Sequence, residues 1–287
     1  MSTIAPPSPA GGDPALAGLR IVPRRHYGRW LATALILLAL IGLVRAFAVG
    51  QIEWSVVGQF LTARSILNGL VNTIVMAVAA MALGITLGVL FAVMVMSKNP
   101  VLQNSARGYI WFFRGTPLIL QLLLWFNLAL VFPTLGIPGL FEFRTVDVIT
   151  PFVATLLGLG INQGAYTAEV VRAGILSVDH GQSEAAQAIG MARPTILRRI
   201  VLPQAMRVII PPVGNEFISM VKLTSLASVI QYSEMLRNAQ TVYFANGRVI
   251  ELLIVAAIWY IAVVSVLSIG QFFLERRFSR GYARGGR

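Results

Sequence analysis

Residues 184–203 read EAAQAIGMARPTILRRIVLP and form a polar, basic stretch between two long apolar segments. Asp179 stands at the expected N-cap of a helix, with Gln182 three residues later as its reciprocal partner. Gly190 stands where a left-handed residue would end the same helix. This helix has about ten residues, half of the roughly 20 that a membrane span requires. The stretch therefore begins with a short helix that does not cross the bilayer.

A second helix is predicted directly after the first. Pro194 fits the first turn of that helix, and Pro203 allows it to bend or restart. Apolar, mostly small side chains recur in the first half of the stretch at three- and four-residue spacing: Ala185, Ala188, Ile189 and Ala192. Such a stripe lets another protein approach the backbone closely. From periodicity alone, an ordinary amphipathic loop helix is the alternative interpretation.

The residues of this stretch resemble the EAA loop of bacterial ABC-importer permeases, the membrane subunits of binding-protein-dependent uptake systems. Glu184-Ala185-Ala186, then Gly190, then Ile200-Val201-Leu202-Pro203 match that loop at the expected spacing. In that family the loop is a coupling helix, which docks in a cleft on a separate ATPase subunit. The resemblance therefore implies six ATPase-coupling residues: Glu184, Ala185, Ala186, Gly190, Arg193 and Pro203.

The composition is that of an integral membrane protein. Of the 287 residues, 56% are hydrophobic and only 12% are charged, and the mean hydropathy is +0.76. A soluble domain carries about a quarter charged residues. The net charge of +12 does not indicate nucleic-acid binding, because the basic residues lie between apolar segments and not on one soluble face. The absence of cysteine excludes disulfides, cysteine zinc sites and thiol catalysis.

The apolar segments predict an all-α protein with about six transmembrane helices. The predicted spans are residues 30–50, 66–96, 109–132, 150–171, 208–230 and 249–273. The predicted regions are a disordered basic tail at 1–29, an extra N-terminal span at 30–50, a permease domain at 65–275 with its coupling loop at 179–203, and a basic tail at 276–287. A loop that includes a re-entrant or interfacial helix is predicted at 232–247.

Basic residues predict the orientation of these spans. Most of the 23 Lys and Arg residues fall in the tails and in the loops on the same side, including the coupling loop. Only Arg64, Arg144, Arg237 and Arg248 fall in the loops of the opposite side. Because cytoplasmic loops are enriched in basic residues, both termini and the coupling loop are predicted to be cytoplasmic. We therefore expect a multi-pass protein of the cell inner membrane.

Several polar side chains lie within the predicted spans, where they usually face a partner or a water-filled cavity. Candidates for the substrate pathway are Arg114, Thr116, Gln121, Tyr166, Glu169, Glu216, Lys222, Thr224 and Ser225. Other polar groups of the same spans are Asn72, Thr73, Asn162, Gln163, Asn215 and Ser219.

Some of these polar side chains also have structural interpretations. Asn72, Thr73 and Ser219 suit hydrogen bonds between packed helices. A local ion pair of Glu169 with Arg172 and a neutralising pair of Lys222 with Glu216 are alternatives to roles in transport.

These segments also resemble one branch of the permease family, which transports polar amino acids such as histidine, glutamine, glutamate, arginine and cystine. The matching residues are Asn68-Gly69 through Thr73, Arg114-Gly115-Thr116-Pro117-Leu118, Ala165-Tyr166-Thr167-Ala168-Glu169, Arg172-Ala173-Gly174-Ile175 and Lys222-Leu223-Thr224-Ser225-Leu226. The resemblance implies a five-helix type I ABC-importer permease core, to which this chain adds one N-terminal span.

Partners and site roles follow from the same resemblance. It implies ABC ATPase subunits, a second permease copy or a sister permease, and a periplasmic or extracellular amino-acid-binding protein, all acting at a lipid bilayer. Arg114 and Thr116 are then candidates to hold a substrate carboxylate, and Glu169 or Glu216 to hold an ammonium or guanidinium group.

The chain lacks the sequence signatures of an enzyme. It has no G-x-x-x-x-G-K-[ST], and its only lysines are Lys98 and Lys222, so ATP and Mg²⁺ are expected to be used by a partner chain. His26 and His180 form no metal-binding or catalytic pair, and we expect no catalytic residue, metal or cofactor of its own. The alternatives are a secondary amino acid transporter driven by an ion gradient, a membrane enzyme or a membrane anchor.

Overall fold

The computed structural model describes residues 27–137 and 140–278 of the chain. Its α-helices are α1 (Tyr27–Val49), α2 (Trp54–Leu61), α3 (Arg64–Val95), α4 (Pro100–Gly115), α5 (Leu118–Phe126), α6 (Thr145–Val148), α7 (Pro151–Leu176), α8 (His180–Ala188), α9 (Arg193–Ile196), α10 (Leu202–Leu223), α11 (Met235–Asn246) and α12 (Val249–Phe278). Short 3-10 helices lie at Leu128–Leu130 and Thr224–Ile230, and a π-helical turn joins α9 to α10 at Leu197–Val201. Strands β1 (Thr134–Ile137) and β2 (Phe141–Arg144) pair antiparallel.

The chain divides into two compact units, Met1–Ile52 and Glu53–Arg287. Of the first unit the structure describes α1, an apolar helix of 23 residues of which none is buried. At 1.5 Å per residue this helix extends about 35 Å, enough to cross the hydrocarbon core of a bilayer. Residues 1–26 of the predicted basic tail lie outside the described residues. At the other end, α12 continues to Phe278 and so includes the start of the predicted tail at 276–287.

Fewer than six of the described helices are long and apolar enough to cross a membrane. Among the described residues α1, α3 and α12 are long and apolar enough to cross a membrane, and α4 with α5 would add a fourth span if the two form one. The helices α7 and α10 have 26 and 22 residues but carry the polar side chains of the candidate site. The predicted count of six is therefore not confirmed by length and composition.

The third predicted span, residues 109–132, is wrong as a continuous helix. The helix α4 begins earlier, at Pro100, and ends at Gly115, and α5 leaves it at an angle of 102°. Pro117 contributes to this break, because a proline disfavours the helical conformation for the residue before it. Thr116 accordingly adopts extended angles, with φ −110° and ψ 142°. The bend places the end of α4 beside the candidate site.

The helices α3 and α7 form the closest pair of the second unit. Gly84 and Gly88 on α3 face Gln163 and Thr167 on α7, and any Cβ atom at either glycine would lie 2.6 Å from one of these side chains. Met76 on α3, Leu122 on α5, Leu159 on α7 and Met220 on α10 belong to one buried apolar cluster. The helix α7 is thereby fixed among α3, α5 and α10.

Two elements differ from, or add detail to, the predicted all-helical chain. The predicted external loop after the third span contains the β1–β2 hairpin, whose tip at residues 138–139 is outside the described residues. The predicted loop at 232–247 contains α11, which Glu234 caps by accepting hydrogen bonds from the amides of Leu236 and Arg237. Asn72 and Thr73 bind the start of this segment, as expected of packing residues.

Candidate functional site

A cavity of about 880 Å³ opens among α4, α5, α7 and α10. Four of the predicted substrate-pathway residues line it: Arg114, Thr116, Tyr166 and Glu216. The lining also includes Asn162, Gln163, Asn215 and Ser219, polar residues that the sequence analysis did not place in the pathway. The sequence signal for them was their polarity within apolar helices, which does not tell a lining residue from a packing residue. The structure thus brings one cationic and one anionic side chain to the same cavity.

The cationic wall of the cavity consists of Arg114 and Tyr166. Arg114 lies in the last turn of α4, and its Cζ atom is 5.2 Å from the centroid of the Tyr166 ring on α7. A guanidinium group over an aromatic face gains about 0.5–2 kcal/mol. The ring holds the head of Arg114 near the cavity, while the hydrogen-bond donors in the guanidinium plane stay available to a carboxylate.

The break between α4 and α5 is braced by two buried amide side chains. The Nε2 atom of Gln121 donates to Thr116 Oγ1 at 2.8 Å and to the carbonyl oxygens of Phe113 and Thr116, each at 3.1 Å. Asn162 Nδ2 donates to the same Phe113 carbonyl at 2.8 Å. Carbonyl groups released by a broken helix need such partners where water is absent. Gln121 therefore supports the wall of the cavity and is not among the residues that line it.

The anionic wall of the cavity is formed by Glu216 on α10. Its Oε2 atom accepts hydrogen bonds from Gln163 Nε2 at 2.8 Å and from Thr167 Oγ1 at 3.1 Å. The sequence offered two interpretations of Lys222, a neutralising pair with Glu216 or a role in transport. The pair is not observed in the described part of the chain, where Lys222 is exposed. The carboxylate is thus held by neutral donors, and its charge is not cancelled by a neighbouring lysine.

The remaining predicted pathway residues lie away from the cavity lining. Glu169 forms the local ion pair with Arg172, at 2.8 Å. Thr224 is buried, and its hydroxyl donates to the carbonyl of Val221 at 2.8 Å. Ser225 donates in the same way to the carbonyl of Lys222 at 2.7 Å. These contacts are local to one helix and leave the three residues with structural roles in this conformation.

The coupling stretch forms a second, exposed site at the ends of α7 and α10. Asp179 caps α8 by accepting a hydrogen bond from the amide of Gly181 at 2.6 Å, and Gly190 has the predicted left-handed φ of +80°. Ile189, beside Gly190, is 78% exposed. A shallow groove of about 650 Å³ runs along the same face of α8.

The six predicted coupling residues are not equally accessible. Glu184, Ala185, Gly190, Arg193 and Pro203 are exposed, whereas Ala186 is buried. The carbonyl of Ala186 accepts a hydrogen bond from the amide of Met191 at 3.1 Å, which closes the turn at Gly190. Pro194 lies in the first turn of α9, as predicted. The α8 to α9 turn is therefore closed by a local hydrogen bond and accessible from outside.

Comparisons with known proteins agree on one family. Residues 84–280 match the binding-protein-dependent transport system inner membrane component. The arginine transport system permease protein of Corynebacterium glutamicum is 40% identical over 265 residues, which cover 91% of this chain and 84% of the relative. The L-cystine transport system permease protein of Bacillus subtilis is 38% identical over 218 residues, covering 76% of this chain and 88% of the relative.

Solved structures show the same similarity. The crystal structure of an amino acid ABC transporter with histidines contains a chain that is 35% identical, with a TM-score of 0.66, and the match covers 74% of this chain and 94% of that chain. A bacterial ABC transporter for the acidic polysaccharide alginate matches with a TM-score of 0.62 at 15% identity, over 88% of this chain and 96% of that chain. At that identity the likeness concerns the fold alone.

Proposed function

This chain belongs to the family of binding-protein-dependent transport system inner membrane components, the transport subunits of ABC importers, and on that premise we propose that its cavity carries a polar amino acid across the membrane. The observation that supports the proposal is that Arg114 and Glu216 both line one cavity of about 880 Å³ among the helices. An amino acid carries a carboxylate and at least one cationic group, so it matches both walls.

Arg114 is proposed to bind the substrate carboxylate, with Thr116 beside it at the end of α4. A guanidinium group binds a carboxylate through two parallel hydrogen bonds, which fix orientation as well as charge. Glu216 on the opposite helix then binds an ammonium or guanidinium group. Relatives named for arginine and L-cystine transport are consistent with a substrate that has charges at both ends.

Energy for transport is proposed to come from a separate ATPase subunit that docks on the α8 to α9 turn. The permease itself has no phosphate-binding loop, so ATP and Mg²⁺ are bound by that partner, and the permease needs no cofactor of its own. Ile189 and Gly190 are exposed at the end of α8, and Glu184 is exposed on the same helix. Docking here would transmit ATP-driven movement to α7 and α10, which flank the turn.

The proposed assembly contains two further proteins. A binding protein delivers the amino acid from outside, and a second permease, either another copy or a sister chain, completes the pathway. The distribution of basic residues supports the proposed orientation in the inner membrane, with both termini and α8 in the cytoplasm. This orientation puts the docking turn on the side where ATP is available.

Purification of the tagged chain from its host, followed by an ATPase assay and an uptake assay in liposomes, tests this proposal. We expect a co-purifying ATPase and uptake of an amino acid that requires ATP and a binding protein. Gly190→Arg should remove the ATPase from the sample. Gly247→Arg is the matched control, because Gly247 also has a left-handed φ, of +73°, and open space around it, but lies between α11 and α12.

The outcomes separate the parts of the proposal. If G190R retains the ATPase as well as G247R does, the docking assignment is wrong. If Arg114→Ala leaves uptake and binding-protein-stimulated ATP hydrolysis at the wild-type level, the carboxylate assignment is wrong. Transport under an ion gradient without any ATPase would support the secondary transporter.

A further inference from the structure

Glu216 is held through only one of its two carboxylate oxygens. Gln163 Nε2 and Thr167 Oγ1 both donate to Oε2, and in the described part of the chain no hydrogen bond to Oε1 is found. Both donors lie on α7, one helical turn apart, and therefore approach the carboxylate from the same side. Since Glu216 lines the cavity, Oε1 is the carboxylate oxygen that remains available to a ligand there.

A hydrogen bond between the two donors fixes the direction of the Thr167 hydroxyl hydrogen. Gln163 Nε2 donates to Thr167 Oγ1 at 3.1 Å as well as to Glu216. A hydroxyl group has one hydrogen and accepts through its lone pairs. Because Thr167 accepts from Gln163, its only hydrogen is directed to Oε2 of Glu216. The negative charge is thus stabilised by two charge-assisted hydrogen bonds of fixed direction.

Glycines on α3 lock both donors in place. A Cβ atom at Gly84 would lie 2.6 Å from Cγ of Gln163, and one at Gly88 would lie 2.6 Å from Cβ of Thr167. The donor side chains therefore rest directly on the backbone of α3. Both are buried, with exposures of 6% and 0%. The backbone of α3 therefore restricts both side chains on the side that faces α3.

We infer that Gln163 and Thr167 are positioning residues that set the preference of the cavity for cationic over neutral substrates, by holding the Glu216 carboxylate with one oxygen turned towards the ligand. The inference rests on the proposed function of the cavity. It differs from simple packing of α3 against α7, because packing affects all ligands alike. A positioning role affects only the ligand whose positive group meets Glu216.

Arginine and citrulline distinguish the two roles. They have nearly the same shape, but citrulline carries a neutral urea group in place of the guanidinium. The measurement is calorimetric binding of each to the detergent-purified permease–ATPase complex without the binding protein, which removes the selectivity of that protein. We expect the wild-type complex to bind arginine more tightly than citrulline.

Variants of the two donors then test the inference. Thr167→Val and Gln163→Met each remove one charge-assisted hydrogen bond, and we expect each to lower the arginine-to-citrulline affinity ratio about tenfold. Thr167→Ser, which restores the hydroxyl, should recover the ratio. The matched control is Thr155→Val: Thr155 is a buried threonine of the same helix that donates to the carbonyl of Pro151 and does not contact Glu216.

Each result has a separate meaning. If the wild-type complex binds neither ligand, the proposed substrate site itself fails. If the wild type prefers arginine and T167V weakens both ligands equally, or leaves the ratio unchanged, the inference is wrong although the site stands. Co-purification of the ATPase with each variant shows that the variant is folded.

Discussion

Replacing Gln121 with leucine tests whether this side chain braces the break between α4 and α5 or binds substrate directly. Gln121 is 3% exposed, and its amide is the donor to the carbonyl of Thr116 and one of two donors to the carbonyl of Phe113. Leucine has a similar volume but no donor. Phe113 keeps its hydrogen bond from Asn162, whereas the carbonyl of Thr116 loses the partner that the structure gives it.

The cost of this substitution follows from the lost contacts. An unpaired carbonyl at this part-buried position costs about 1–3 kcal/mol. The other lost hydrogen bonds, to Phe113, to Thr116 Oγ1 and from Asn162, together add about 1 kcal/mol, because each of these partners keeps another hydrogen bond. We therefore expect Gln121→Leu to lower the free energy of unfolding by about 2–4 kcal/mol, measured by denaturant titration in detergent micelles. Asn127→Leu is the control, because Asn127 Nδ2 donates to the Leu123 carbonyl one turn earlier at an exposed position. Its change should stay within about 0.5 kcal/mol.

Stability and affinity together decide the role of Gln121. If Gln121 braces the break, Gln121→Leu should lower stability strongly. Arginine affinity, measured at low temperature where the variant stays folded, should then fall only through the displacement of Arg114. A Gln121→Leu variant of wild-type stability that has lost arginine binding would refute the brace and support the direct substrate contact that the sequence suggested.

Three further substitutions have defined outcomes. Tyr166→Ala should weaken arginine binding by about 1 kcal/mol, because Arg114 loses the aromatic face that orients it, while Tyr166→Phe should retain most of the affinity in the same calorimetric assay. Gly214→Ala should cost about 1–3 kcal/mol in denaturant titration, since its Cβ would lie 2.0 Å from Oε1 of Gln271, and moving that side chain breaks its hydrogen bonds to the Pro211 carbonyl and Glu275. Gly270→Ala meets open space and should not destabilise the protein. Glu234→Ala removes the cap of α11 and should cost about 1–2 kcal/mol, with faster hydrogen exchange at 235–246.

The coupling stretch was predictable because its structure depends on local chemistry. Asp179 caps α8, Gly190 adopts the left-handed conformation and Pro194 lies in the first turn of α9, as each residue type favours. Each of these features involves neighbours within a few residues. Tertiary packing was not needed to predict them, although it decides that Ala186 is buried.

The bend between α4 and α5 had a sequence signal that hydropathy concealed. Thr116-Pro117 indicates a break, but the apolar residues that follow it extended the predicted span to residue 132. The amide groups that make the break tolerable come from Gln121, five residues later, and Asn162, on another helix. A contact between segments this far apart in the chain cannot be predicted from the local sequence pattern.

The sorting of polar residues into cavity lining and helix packing was equally beyond the sequence. Glu169 and Glu216 both offered a carboxylate in a predicted span, and both had a basic residue nearby in sequence. Only the structure shows that Glu169 is neutralised by Arg172 and that Glu216 faces the cavity. The difference depends on the rotation of α7 and α10 about their axes, which their packing partners fix.

The two sites of the molecule are connected through the same pair of helices. The helix α7 carries Gln163 and Thr167 and ends at Leu176, just before the cap of α8. From Arg193 to Leu223, α9, the π-helical turn and α10 follow without interruption and carry Glu216. The α8 to α9 turn, the proposed docking surface, thus joins the two helices that share the hydrogen bonds on Glu216. A movement of α8 that shifts α7 relative to α10 must change those hydrogen bonds, so we expect the grip on a cationic group to depend on the state of the ATPase.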